Sequence, residues 1–171
     1  MRSPLILVAC AAPPTIQAAE LVEHLVRDGW DVYVVLTEGA AAWADEKSLE
    51  AASGHPVKTR LRRPDEVKTV PVPAAVVVAP ATFNTINQWA AGINDTAALG
   101  VLNEALGAGV PIVVAPHTKD ELAAHPAFRR NVEVLSTAGV RFTALGALDP
   151  VTAEGQYQWQ SVLDLLRDHA R

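Results

Sequence analysis

Apolar residues in this chain fall into short, nearly unbroken runs, separated by stretches in which they recur every three or four positions. Runs of roughly four to eight apolar residues suit strands buried on both faces, and the three-to-four spacing suits helices with one packed side. Residues 4–9 therefore predict a first strand, and the small residues Cys10-Ala11-Ala12-Pro13-Pro14 that follow must turn the chain. Ile16, Ala19, Leu21, Val22, Leu25 and Val26 then trace one helix face, with Thr15 as its N-cap and Gly29 as its stop. Residues 32–36 predict a second strand, closed by Thr37-Glu38-Gly39, and a helix runs on to about Ala51 and ends near Gly54. A short segment around Val57 is a candidate edge strand.

The period is lost over residues 58–73, where Lys58, Arg60, Arg62, Arg63 and Lys68 stand among prolines, and this stretch is expected to be a loop. Its cations read either as a solvated surface or as an attraction for a substrate carboxylate or phosphate. Beyond it the pattern predicts a strand over 74–79, helices over about 86–91 and 96–106, a strand over 111–115, a helix over 120–137, a last strand over 140–143 and a terminal helix over 153–169.

Strands alternating with helices predict parallel βαβ units with right-handed crossovers, that is, an α/β, doubly wound, Rossmann-like parallel sheet with helices on both faces. A chain of 171 residues can bury one good core, and no repeat or linker divides it, so residues 1–171 are expected to form a single domain. In such sheets ligands lie beyond the carboxyl ends of the strands, near the switch in strand order. The loops 10–15, 37–39, 80–85 and 116–120 are therefore where chemistry is sought.

Composition narrows the partners. The chain is 50% apolar with 5% aromatics, as a globular core requires. Its net charge of −5 lacks the sustained cationic surface that nucleic-acid binding needs, so a small-molecule or peptide substrate is expected and no nucleic acid. The lone Cys10 supports neither an internal disulfide nor an all-cysteine metal site, which favours the cytoplasm. The start of the chain resembles a lipoprotein signal ending at Cys10, but its apolar run is too short for one and serves better as a strand. No apolar stretch reaches membrane-spanning length, since Asn103 and Glu104 interrupt the longest candidate. His117, Asp120 and His125 do not have a recognised ligand spacing, and no metal is expected.

The most informative segment is Ala79-Pro80-Ala81-Thr82-Phe83-Asn84-Thr85-Ile86-Asn87, followed by Ala90-Ala91-Gly92-Ile93-Asn94-Asp95-Thr96. A hydroxyl at Thr82 beside free N–H groups at a helix N-terminus suits an anion, and Thr37 holds the equivalent position after the neighbouring strand. Asn84 offers amide donors and an acceptor. Thr82 and Asn84 read equally as plain helix caps.

This segment resembles the Pro-Ala-Ser-Ala-Asn-Thr motif of the homo-oligomeric flavin-containing cysteine decarboxylases, a family that includes phosphopantothenoylcysteine decarboxylase and the decarboxylases of lantibiotic precursors. Leu36-Thr37-Glu38-Gly39-Ala40 and Leu49-Glu50-Ala51-Ala52-Ser53-Gly54-His55-Pro56-Val57 are similar to further family segments, in matching order. The resemblance implies FMN as cofactor, with Ala11, Thr15, Thr37, Pro80, Ala81, Thr82, Asn84 and Thr85 binding it. It also implies a homo-oligomer, a trimer or a multiple of one, with the flavin between subunits, and Phe83 and Trp89 as interface or stacking residues unless both are core.

Three departures stand out. The family's histidine before the motif strand has no counterpart, and its position falls near Glu66. The family's Pro-x-Met-Asn clamp reads Pro116-His117-Thr118-Lys119 here, so His117 and Asn84 become the catalytic candidates and Lys119 the substrate-binding one, while His117 and Lys119 read equally as ordinary exposed loop residues. The Gly-Ser pair of the first loop is replaced by Cys10 to Thr15, where Thr15 would supply the hydroxyl and Cys10 is either redox-active or merely buried. Two functions follow: an FMN enzyme oxidising or decarboxylating a cysteine-like substrate, or a flavin-binding or regulatory subunit without that activity. A flavin prenyltransferase-like reading is weaker, because the Gly-Ala-Ser-Gly opening is absent.

Overall fold

A computed structural model describes residues 2–151 and 153–169. The two ends of the predicted 1–171 domain, Met1 with Ala170 and Arg171, and also Thr152, lie outside the described residues. The elements are β1 (Ser3–Ala9), α1 (Ala18–Arg27), β2 (Trp30–Leu36), α2 (Glu38–Ala41), α3 (Glu46–Ser53), β3 (Ala75–Ala81), α4 (Phe83–Ala90), α5 (Ala97–Gly107), β4 (Ile112–Pro116), α6 (Asp120–Ala123), α7 (Pro126–Thr137), β5 (Arg141–Phe142) and α8 (Gln160–His169). A single 3-10 turn, Pro13–Gln17, leads into α1.

The sheet has five parallel strands in the order β2-β1-β3-β4-β5, so that Leu7 of β1 stands between Val34 of β2 and Val77 of β3. Successive side chains on a strand point to opposite faces. Leu5, Leu7 and Ala9 accordingly pack with α1, α3 and α8, while Ile6, Val8 and Cys10 pack with α4, α5 and α7. Nearly every residue of β1, β3 and β4 is buried, which is why these strands read as continuous apolar runs. Lys58 adds one parallel bridge to Val35 outside β2, the remnant of the edge strand expected at Val57.

The doubly wound architecture is as the alternation predicts, with corrections at local punctuation. Thr15 is not the N-cap of the first helix. Pro13 and Pro14 set up the 3-10 turn instead, and α1 begins at Ala18. The helix expected to run to Ala51 is broken, because Asp45 caps a new one by accepting from the N–H of Ser48. The helix predicted over 120–137 is broken at Pro126, which cannot donate to the preceding turn, and His125 caps α7 through Nδ1. Strand β3 runs two residues past the predicted 74–79, through a cis Ala79–Pro80 bond. Strand β5 shrinks to two residues, and the terminal helix starts at Gln160 rather than 153. Trp89 is core, 2% exposed, so it neither stacks on a ligand nor forms an interface. Among the described residues no helix is long and apolar enough to cross a membrane.

Candidate functional site

Chain topology picks out one crevice. From β1 the chain moves outward to β2 and later returns to the other side of β1 to form β3, so the loops after β1 and β3 diverge over opposite faces. Counting the Lys58 bridge as a shrunken outer strand, the order matches that of dinucleotide-binding sheets, in which ligands sit where such loops part. The most informative sequence segment, 79–87, is therefore delivered to the switch point.

Hydrogen bonds weld this crevice shut from below. The N–H of Cys10 donates to the carbonyl of Pro80 at 3.0 Å, and the Thr15 hydroxyl donates to the carbonyl of Cys10 at 2.6 Å. The Cys10 thiol donates to Oγ1 of Thr85 at 3.3 Å, and Oγ1 of Thr82 lies 3.3 Å from the same oxygen. Thr15 and Thr85 are 1% and 6% exposed. The Thr15 hydroxyl therefore donates to the loop's own backbone. Thr85 supports Thr82 from beneath. Burial pushes the Cys10 thiol up from its ordinary range, against the opposing effect of the Thr85 hydrogen bond, so it is held as a neutral thiol. Between the two readings of Cys10, burial decides for the inert one.

What remains presented at the rim is smaller and more specific. Thr82 is half-buried and caps α4, accepting from the N–H of Thr85. Two residues on from Thr82, Asn84 is exposed, and its side-chain amide makes no hydrogen bond among the described residues. Pro80 and Ala81 are buried and shape the strand end. Thr37 caps α2 through Oγ1, leaving its hydroxyl proton available. Gly39 brings α2 against the first loop: a Cβ there would stand 3.0 Å from the Cβ of Ala11, so only glycine lets the two loops approach this closely. Thr37 also lines a 220 Å³ cavity together with Arg60, Asp95 and Thr96. Thr96 caps α5 as Thr82 caps α4. It is a rim residue that sequence reasoning passed over, although it closes the quoted motif.

The loop after β4 behaves differently. The His117 N–H donates to the carbonyl of Ala81, tying this loop to the motif loop. Its ring, however, meets Asp149 with Nε2 3.2 Å from the carboxylate, and stands edge-on to Tyr157 at 6.3 Å. Tyr157 belongs with the α1 and α8 side, where Gln17 fixes it by accepting from its N–H and donating to the carbonyl of Gly155. The structure thus joins His117 to Asp149, and no hydrogen bond joins it to Asn84. Asp149 was invisible to sequence reasoning: it lies in an aperiodic loop and reaches His117 across 32 positions. Lys119 stands exposed at the start of α6 without an ion pair among the described residues. Glu66, at the position of the family's histidine, is bound by Arg60 and by the N–H of Arg63. The Arg60 hydrogen bond leads in holding its carboxyl below the usual range, the reverse of what a base requires.

The flavoprotein family model matches residues 2–170. The chain is 31% identical over 169 residues to a coenzyme A biosynthesis bifunctional protein of Thermococcus kodakarensis, covering 93% of this chain and 40% of that one. It is 34% identical over 128 residues to the protein of the same description from Escherichia coli, covering 71% of this chain and 30% of that one. The chain therefore spans well under half the length of the curated relatives it matches. Among solved structures, the FMN-dependent cysteine decarboxylase SpaF superposes with a TM-score of 0.76 at 22% identity, covering 99% and 98% of the two chains. MrsD from Bacillus sp. does so with a TM-score of 0.77 at 16% identity, covering 99% and 97%. At such identities these structures speak for the fold.

Proposed function

This chain belongs to the flavoprotein family, and from that premise we propose that it binds FMN across the carboxyl ends of β1, β2 and β3. The observation that carries the reading is the position of the 79–87 segment at the β1/β3 switch point, with Thr82 capping α4 there. The residues fit the group. A phosphate would suit the α4 N-terminus that Thr82 caps, with the N–H groups of Phe83 and Asn84, and the Thr37 hydroxyl after β2 would serve another polar group of the cofactor, while the close approach of Gly39 to Ala11 keeps that end of the crevice narrow. Asn84, exposed and free, orients the ring or the substrate. Thr15 and Thr85 act from behind, by fixing the two loops.

When bound, FMN supplies the two-electron acceptor that oxidation of a thiol requires. The chain's own residues take the proton and hold the substrate. His117 is the base, with Asp149 engaging Nε2 so that Nδ1 is left for substrate, and Lys119 receives a substrate carboxylate. The substrate class is a cysteine-like thiol with a carboxylate, free or at a peptide end, as among the FMN-dependent cysteine decarboxylases. A second reading, a flavin-binding or regulatory subunit without this reaction, draws on one specific observation: Glu66, where the family has its histidine, is ion-paired.

The chain acts in the cytoplasm as a homo-oligomer, a trimer or a multiple of one. Ile16, Trp43, Leu122 and Leu145, 64%, 48%, 41% and 44% exposed, stand in the segments after β1, β2, β4 and β5. They put an apolar rim at the end of the sheet where the cofactor is placed.

The test is the visible absorption spectrum of the purified protein, with mass identification of any ligand released by heat. A flavin band with one FMN per chain supports the reading. A colourless protein that takes up no added FMN overturns it. With FMN bound, release of carbon dioxide from peptides ending in cysteine, lost in His117→Ala while the flavin band stays, supports catalysis. An FMN-loaded protein that is inactive on such peptides and on acylated cysteine leaves the binding role.

A further inference from the structure

A doubly wound sheet normally returns from its outer strand to the strand beside β1 through a helix lying on one face. Here that return, between the Lys58 bridge and β3, contains no helix, and residues 59–74 cross as irregular chain punctuated by Pro64, Pro71 and Pro73. The face it crosses is apolar: Ile6, Tyr33 and Val35 belong to the core on that side, with Val70 as a contribution from the crossing segment. An irregular segment cannot fill the space a helix would. What it leaves is a cavity of about 840 Å³. This is the size of a small-molecule site, on the order of 300–1,000 Å³.

Both walls are built for a ligand of one kind. The inner wall is a single stripe of α5 and its C-cap, where Ala97, Gly100, Val101, Ala105 and Ala108 recur at helical spacing and offer small apolar side chains, interrupted by Glu104. The outer wall carries Lys58, Arg60, Arg62 and Lys68 with Glu66, and Glu104 stands on the α5 side. Four cations face two carboxylates, in a chain whose net charge is −5. Glu66 is already committed to Arg60, whereas Lys58 and Lys68 have no carboxylate partner among the described residues. An apolar floor under uncompensated ammonium groups selects an amphiphilic anion.

We propose that the cavity between residues 56–73 and α5 is a second ligand site, taking a small molecule with an aliphatic body and one carboxylate or phosphate head. The body lies along the α5 stripe and the head meets Lys58 and Lys68. The site lies outside the β1/β3 crevice but shares Thr59, Arg60, Leu61 and Ala97 with the cavity beside Thr37, so flavin content is read alongside ligand binding.

Isothermal titration of the purified full chain with decanoate, decyl phosphate and decanol tests this. Both anions bind, and decanol binds at least fivefold more weakly. Gly100→Leu fills the cavity from α5, where a Cβ meets only Oδ1 of Asn94 at 3.9 Å, and it abolishes binding of all three. Lys58→Gln with Lys68→Gln weakens the anions about tenfold, at the upper end for two exposed ion pairs, and leaves decanol unchanged. Decanoate and decyl phosphate ranked against each other assign the head group. Flavin content, read from the visible band, is the same in every variant, so a failure of FMN binding is seen separately. The proposal is overturned if neither anion binds at millimolar concentration, if Gly100→Leu binds as the parent does while its circular dichroism shows it folded, or if Gly100→Leu changes the sedimenting mass. The last result would show a second copy of the chain covering this face.

Discussion

The two ends of the first crossover region obey opposite rules. At the β1/β3 crevice every loop is tied down, with Cys10 bonded to Pro80 and Thr85, Thr15 to Cys10, and His117 to Ala81. At the outer edge a single bridge at Lys58 gives way to sixteen residues of irregular chain held by exposed ion pairs such as Arg60–Glu66 and Arg63–Asp65. The same sheet supports both. Where strands are buried on both faces, a loop's polar groups must be paired internally, and the result is a rigid platform. Where one face lacks its helix, water pairs those groups, and the chain is free to leave space. Rigidity suits a site that must position reacting atoms, and space suits one that need only hold a ligand.

Substitution should separate the regions most sharply in the core. Leu7→Ala, at a fully buried position between β2 and β3, is expected to cost about 2–5 kcal/mol in denaturant unfolding. Val67→Ala, at a residue 82% exposed in the crossing segment, should stay within about 0.5 kcal/mol. Comparable losses at both would mean that residues 59–74 are packed after all. Next in size is Thr85→Val, which keeps the volume and removes the oxygen that Cys10 and Thr82 share. A loss of about 1–2 kcal/mol is expected, together with a Cys10 thiol that reacts faster with a maleimide as the loops loosen. An unchanged reaction rate would show that the strand ends alone hold the crevice.

A matched pair of caps sharpens the functional half of the comparison. Thr82 and Thr96 each accept from the N–H three residues ahead, at 3.4 and 3.2 Å. Thr82→Ala and Thr96→Ala should therefore each cost about 1 kcal/mol of stability. Only Thr82→Ala should also lose flavin on gel filtration, because only α4 begins at the β1/β3 switch. Equal flavin loss would add Thr96, which shares the 220 Å³ cavity with Thr37, to the residues that hold the flavin.

The readable parts of this molecule were those fixed by local rules. Alternating apolar runs announced the doubly wound sheet because β1, β3 and β4 are buried on both faces, and the 79–87 segment announced a strand end with a capped helix. Helix breaks at Asp45 and Pro126 were written in cap and proline chemistry but hidden under continuous apolar spacing. Two features had no local signal. The Thr15 hydroxyl turned inward because the paired prolines before it wind the chain into a 3-10 turn, which a helix-face reading does not reveal. Asp149 reached His117 from a loop with no period, a contact set by how β5 and the segment after it close over the sheet.

The smallest expected effect belongs to the outer edge. Asp31 on β2 accepts from the His55 ring at 2.8 Å and from the Tyr33 hydroxyl at 3.2 Å, and the His55 and Tyr33 rings stack at 4.0 Å. The His55 hydrogen bond leads in lowering the Asp31 carboxyl below its ordinary range. A carboxyl depressed in the folded state binds its proton more readily when unfolded. Its contribution is therefore present above the ordinary carboxylate range and is lost as pH falls through the lower, folded value. Both side chains are about a third exposed, at 37% for Asp31 and 30% for His55, so solvent screening keeps the effect small. Asp31→Asn should make denaturant midpoints slightly lower at neutral pH and flatten their decline below about pH 4. An acid limb as steep in the variant as in the parent would assign the acid sensitivity to other carboxylates and leave the edge cluster a packing contact alone.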